Sequence, residues 1–266
     1  MVTFIKSVLL LCLLSQSAYA VERLRMATTT STDNSGLLKM LNPVFEKKHN
    51  VKLDVIAVGT GKALRLAENG DVDLVFVHAP GAEMKFVKAG FGIEREAVMH
   101  NDFVILGSKA DPANLKSATG LADAMQRIDS SSVAFISRGD DSGTHKKEML
   151  LWAQADIEPA GENYLAVGQG MGAVLQIAND KLAYTLTDRG TYLAYADKID
   201  LQVVFEGAPA LFNPYHVILV NPEKHAHSNI LKAREYSAFI RGEQGQGIIR
   251  DFRIKGEPLF HSDVIK

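Results

Sequence analysis

The stretch "SRGDDSGTH", Ser137 to His145, gathers an arginine, two aspartates, three hydroxyl residues and a histidine around two glycines. Three chemistries could use such a cluster: hydrolysis, metal ligation and anion binding. Hydrolysis would pair Ser142 as nucleophile with His145 as base. However, a three-residue spacing at a helix start is that of a cap, and no G-x-S-x-G elbow occurs. "DSG" (Asp141 to Gly143) is half of an aspartic-protease signature, but a dyad needs a second copy and the chain has none. A catalytic role for Ser142 and His145 is therefore the remote alternative, and no catalytic residue is expected. The histidines show no H-E-x-x-H spacing, so no protein-bound metal is expected either. An anion is the remaining customer: Arg138 offers a planar fork of donors to an oxyanion. Its structural alternative, an ion pair with Asp140 or Asp141, is compatible with that role.

Three further turns carry the same chemistry. "TTTSTDNSG" (Thr28 to Gly36) crowds short hydroxyls between an apolar run and a helical pattern, "VGTGKAL" holds Thr60 between Gly59 and Gly61, and "VGQGMG" runs from Val167 to Gly172. Glycines let backbone N–H groups approach a ligand closely. Helix starts supply unpaired N–H donors and partial positive charge. Together these make anion sites. Any one such turn is also an ordinary N-cap; it is the recurrence that points to a shared site. "GQGMGA" also fits a dinucleotide fingerprint, with Asp188 downstream. That fingerprint belongs to a first strand–helix turn, whereas this one lies late in the chain, so no nucleotide cofactor is expected.

The elements that would position these turns alternate. "RLRMATTT", "VKLDVIAVG", "VDLVFVH", "DFVILG", "VAFIS", "LAYTLT" and "YHVILV" read as strands, and helical spacing follows most of them, as with Leu37, Leu38, Leu41 and Phe45. Strand–helix alternation implies mainly parallel sheets flanked by helices, an α/β class. Ligands of such sheets sit at the carboxyl ends of the strands. "NDFVILGS" (101–108) and "NPYHVILV" (213–220) read as two crossings between lobes. They give lobe 1 as 21–107 plus 208–266 and lobe 2 as 108–207.

The 266-residue chain carries a formal net charge of −2 and no run of five like charges, which argues against a nucleic-acid partner. Residues 1–20 differ from the rest: Lys6, then the apolar "SVLLLCLLS", then "AYA", read as a signal peptide cleaved after Ala20. The one cysteine, Cys12, lies inside it, so the exported chain has neither disulfides nor thiolate ligands.

Six blocks in order, "TTTSTDNSGLL", "AVGTGKAL", "NDFVILG", "SRGDDSGTH", "GQGMG" and "AYTLTDRGTY", resemble the periplasmic tungstate-binding proteins of ABC importers. The R-x-D-x-S-G-T core is shared with phosphate-binding relatives, so a phosphate- or other tetrahedral-oxyanion-binding protein is the alternative. The resemblance implies a two-lobed type II periplasmic-binding-protein fold, each lobe a mixed, mainly parallel sheet, the two joined by two crossover strands. It implies a small inorganic oxyanion as ligand, tungstate with molybdate as a second candidate. The partners it implies are a membrane permease and its ATPase, serving a monomer that is not an enzyme. By analogy, Thr30, Ser31, Thr60 and Gly61 bind from lobe 1. Arg138, Ser142, Gly143 and Thr144 bind from lobe 2, with Gly168, Gly170 and Met171 as further contributors. Asp140 would orient Arg138, His145 would cap or pack, and Arg189 would brace the hinge. Tungstate and molybdate are unprotonated dianions at neutral pH and only accept hydrogen bonds. Phosphate carries protons and benefits from a carboxylate acceptor, so the surroundings of Asp140 and Asp141 separate the two readings.

Overall fold

A computed structural model describes residues 21–264; the expected signal peptide lies outside the described residues. The first lobe opens with β1 (Glu22–Thr29), a five-residue helix α1 (Thr30–Asn34) and α2 (Leu37–His49). Then come β2 (Val51–Val58), α3 (Thr60–Glu68), β3 (Leu74–Val77) and α4 (Pro80–Lys88). β1 lies between β2 and β3 and pairs in parallel with both. Helix α2 forms because Leu37, Leu38, Leu41 and Phe45 recur at helical spacing, and all four are buried. It ends at Asn50, in the left-handed conformation.

Strand β4 (Gly92–Gly107) is far longer than the expected crossing. Its first half, "GIEREAVMHN", hides its strand character behind charge. Glu94 and Glu96 pair with Arg234 and Arg241, while Val98 and Met99 are buried. The second lobe follows: α5 (Leu121–Asp129), β5 (Phe135–Ser137), α6 (Gly143–Gln154), β6 (Tyr164–Ala166), α7 (Met171–Lys181), β7 (Tyr184–Asp188), α8 (Arg189–Tyr195) and β8 (Gln202–Phe205). The chain returns through β9 (Phe212–Val220) to α9 (Ile230–Arg241) and α10 (Glu243–Asp251). Three short strands close it: β10 (Arg253–Ile254), β11 (Glu257–Pro258) and β12 (His261–Ser262), the last against β4.

The strand order is β2-β1-β3-β9-β4-β7-β5-β6, with β8 and β12 also on β4. Strand β4 serves both lobes. Residues 92–102 pair with β9, and 103–107 pair with β7 and β8. Two apolar cores lie in the first lobe, around Leu24, Phe45 and Tyr236 and around Ala63, Phe86 and Ile218. Two more lie in the second, around Phe103, Trp152 and Tyr184 and around Val104, Leu175 and Ala178. Each lobe is thus an α/β layer structure with helices on both sheet faces.

The ladder registers aim both lobes at one place. Val77 at the end of β3 lies opposite His216, which is also opposite Ala97. Asp188 at the end of β7 lies opposite Phe103. The carboxyl ends of both lobes' parallel strands therefore converge on the crossing at Asn101–Phe103. No described helix is long and apolar enough to cross a membrane.

Candidate anion-binding site

The four turns stand at that convergence. Thr29 lies opposite Val58, so the first two turns leave adjacent strand ends; Ser137 lies opposite Ala166, which does the same for the other two. In the first turn the hydroxyls start a helix: Thr29 is its N-cap and accepts from Thr32 N at 3.2 Å. Thr30 is exposed and Ser31 half-buried. Thr60 is the first residue of α3, half-buried, with Gly61 beside it exposed.

Helices α3 and α7 share a further property. Their N-caps are Gly59 and Gly170, and neither has a side-chain cap. The first N–H groups of each, Thr60 and Gly61 in one and Met171 in the other, thus lack the usual capping partner. Glycine is not required there by packing. A Cβ built on Gly59, Gly61, Gly143, Gly168 or Gly170 meets nothing within 4 Å. These residues border open space, and with no side chain of their own they leave the backbone there open to close approach. Gly139 differs: its φ is +59° and a Cβ would sit 2.8 Å from that of Ala166, so glycine holds the third and fourth turns together. Gly172 is also a packing glycine, with the Tyr195 hydroxyl where a Cβ would go. The Met171 side chain is buried in a lobe-2 core, which leaves only its main chain for a ligand.

In the third turn Arg138 donates to Asp140 Oδ2 from Nε at 3.1 Å and from its terminal nitrogen at 2.5 Å. The other oxygen of Asp140 accepts Ser142 N at 3.2 Å. Burial alone would raise the Asp140 pKa, but Arg138 and Ser142 together hold it below the ordinary carboxylate value. Asp141 is exposed, left-handed at φ 57°, and paired with Lys146. The loop is braced from below: Ser137 Oγ donates to the buried Glu148 at 2.8 Å and accepts Gly139 N at 3.2 Å, and Tyr164 donates to the other Glu148 oxygen. Burial raises the Glu148 pKa.

Ser142 and His145 act as caps. Ser142 Oγ accepts the His145 main-chain N–H at 3.3 Å, and His145 Nδ1 accepts that of Asp141 at 3.0 Å. Thr144 is half-buried in the first turn of α6. Arg189 makes a bidentate pair with Asp102 on the crossing strand, both bonds 2.6 Å, and a second pair with Glu206. These bonds raise its pKa against the opposing effect of burial. His225 and His227, an H-x-H pair, donate to the main-chain carbonyls of Glu68 and Gly70. Among the described residues no group of three His, Cys, Asp or Glu could hold a metal ion.

Sequence reasoning reads His78, with His49 and His100, as a surface or core histidine rather than a ligand; the structure sets it beside the first turn. It follows β3, reaches Thr29 Oγ1 at 3.0 Å and Ser31 Oγ at 3.3 Å through Nε2, and reaches Asn213 Oδ1 at 3.0 Å through Nδ1. Its ring stacks on Tyr215 at 4.4 Å. Burial pushes its pKa below the ordinary value; the Asn213 bond and the charges of Asp188 and Glu83 oppose this without prevailing. The signal lay in "VFVHAP", a histidine placed directly after an apolar strand, where a ligand-facing edge begins.

A bilobed α/β molecule with donor-rich strand ends facing its crossing strands is a solute-binding architecture, and residues 15–243 match the PBP superfamily domain. The chain belongs to that superfamily. Among its relatives, the tungstate-binding protein TupA of Peptoclostridium acidaminophilum is 43% identical over 245 residues, covering 91% of this chain and 86% of that protein. The structure of the tungstate binding protein TupA from Desulfovibrio alaskensis is 44% identical with a TM-score of 0.85, covering 92% of this chain and 100% of that one. That of the tungstate ABC transporter from Geobacter sulfurreducens is 53% identical with a TM-score of 0.79, covering 88% of this chain and 100% of that one.

Proposed function

We propose that this chain is the solute-binding component of an ABC importer and that it captures tungstate between its lobes. The ligand would accept bonds from Thr30, Ser31, Thr60 and Gly61 on one side. On the other it would meet Arg138, Ser142, Gly143, Thr144, Gly168, Gly170 and the Met171 main chain. The carrying observation is the pair of uncapped, glycine-led helix starts, α3 and α7, one in each lobe, bordering open space. The names of the relatives support tungstate as the ligand. The carboxylates favour an unprotonated dianion over phosphate: Asp140 is taken up by Arg138 and Ser142 N, and Asp141 by Lys146. In this reading residues 1–20 direct export and are cleaved after Ala20. The mature monomer then works in the periplasm, delivers its ligand to a permease with its ATPase, and catalyses nothing. We divide the lobes where the cores divide, into 21–102 plus 212–266 and 103–211. Phe103 and Leu211 share a core with Trp152 and Tyr184, which moves both boundaries from those expected at 107 and 208.

The test is a thermal-shift panel of tungstate, molybdate, vanadate, sulfate and phosphate on the purified protein. A ligand at a hundredfold excess over its Kd stabilises by about 2.7 kcal/mol, which is about 5–10 °C in Tm for a chain of this size. Tungstate is expected to reach that shift, molybdate to match it or fall short, and phosphate and sulfate to give little. A phosphate shift equal to that of tungstate would replace this reading with the phosphate one.

A further inference from the structure

The neighbouring side chains narrow the proton count around His78. Asn213 Nδ2 donates to Asn101 Oδ1 at 2.6 Å, which leaves Asn213 Oδ1 as an acceptor, so His78 Nδ1 is the donor in that bond. His78 Nε2 then offers one lone pair. Thr29 Oγ1 accepts Thr32 N–H at 3.2 Å, and because the buried Thr32 hydroxyl has no other partner among the described residues, it too is assigned as a donor to Thr29, at 2.6 Å. A hydroxyl has two acceptor positions and one proton. With both positions filled, Thr29 has two acceptors in reach, Ser31 Oγ and His78 Nε2, each at 3.0 Å; the closer approach of Thr29 than of Ser31 to that nitrogen, 3.0 against 3.3 Å, favours the bond to His78. In that arrangement neither Thr29 nor His78 accepts the Ser31 proton.

We infer that His78 is a positioning residue for anion binding: tied to both crossing strands through Asn213 and Asn101, it takes the Thr29 proton and so leaves the Ser31 hydroxyl as a committed donor into the cleft. Asn101 and Asn213 face each other in the β4–β9 ladder, so the same relay connects the hinge to the first turn. The groups around the ring are consistent with a neutral donor–acceptor relay. They are Tyr215 stacked on its face, Asn213 on one nitrogen, Thr29 and Ser31 on the other, and the carboxylates of Asp188 and Glu83 nearby. Glu83 is itself engaged by Arg95 and His216, and Asp188 by Thr191.

This inference rests on the anion-binding reading, and two measurements keep their failures apart. Imidazole nitrogen NMR on the ligand-free protein near neutral pH reads the tautomer directly; the neutral form with the proton on Nδ1 is expected. Tungstate titrations compare the wild type with His78→Phe, which keeps the stacking ring and loses both nitrogens, and with His78→Gln, whose amide oxygen can replace Nε2 as acceptor. His78→Phe is expected to weaken binding about tenfold, and His78→Gln to recover at least about half of the loss on a logarithmic scale. Melts without ligand identify a variant that does not fold, in which case the tautomer decides. A proton on Nε2, a charged imidazole, or a folded His78→Phe that binds within about twofold of wild type overturns the inference. A wild type that ignores tungstate overturns the functional reading, while the tautomer still judges the relay.

Discussion

Replacing Arg138 by alanine tests the site most directly. Of the five guanidinium N–H groups, two are occupied by Asp140, leaving three. Its side chain is 21% exposed and that of Asp140 23%. A pair exposed to that degree contributes at most about 1 kcal/mol, so the ligand-free Tm should fall by no more than about 4 °C. A buried dianion that loses a charge-assisted donor loses about 1.5–3 kcal/mol, which is a tenfold to roughly hundredfold rise in Kd. Arg138→Lys should recover only part of this, because an ammonium is a point charge and cannot bridge two oxygens while holding Asp140. Calorimetric titration of tungstate into the three proteins, with a melt of each, reads both effects. If Arg138→Ala bound within about threefold of wild type, well under the decade that 1.4 kcal/mol represents, while its Tm fell sharply, Arg138 would be a loop brace and the donor count above would be wrong.

Gly143→Ala should leave the fold intact, since its methyl meets no atom within 4 Å, yet weaken tungstate binding measurably in the same titration. Gly139→Ala should do the reverse at the level of stability: with φ at +59° and a 2.8 Å clash with Ala166, it is expected to cost about 1–3 kcal/mol and to lower the ligand-free Tm. Glu148→Gln should flatten a pH dependence. Because burial raises the folded pKa of Glu148 above its unfolded value, the folded state holds its proton longer. The group's contribution is therefore most favourable at acid pH and is lost as pH rises through the raised pKa. Urea melts across that window should show the wild type losing stability relative to Glu148→Gln with rising pH; an unchanged difference would contradict the burial argument.

Much of the positioning scaffold was legible because it obeys simple periodicities. Leu37, Leu38, Leu41 and Phe45 announce α2, and Gly70 and Gly90, both at positive φ, mark the turns after α3 and α4. The crossings "NDFVILGS" and "NPYHVILV" stood out as extended runs; the first is the second-lobe end of β4, the second is most of β9, and they meet at Asn101 and Asn213. The polar half of β4 was not legible, because its arginine partners lie some 140 residues away in α9. The short strands after Asp251 were also missed, since two-residue pairings leave no pattern. At the site, donor-rich turns announce themselves by composition. His78 does not, because its role comes from Asn101, Asn213 and Thr29, which only the sheet brings to it.

The place of β9 between β3 and β4 also dictates an order of assembly. The two second-lobe cores draw all their residues from one uninterrupted stretch of chain, between Phe103 and Leu211, so everything they require is present once that stretch exists. The first lobe is different: its sheet stays split, with β1, β2 and β3 on one side of a gap and the start of β4 on the other, until residues 212–220 arrive to fill it. Its largest core also waits for Tyr236, Phe239 and Ile249. Contacts that span the longest loops form last. A nascent chain therefore completes its inserted lobe first and carries an open, unfilled sheet until its last fifth is made.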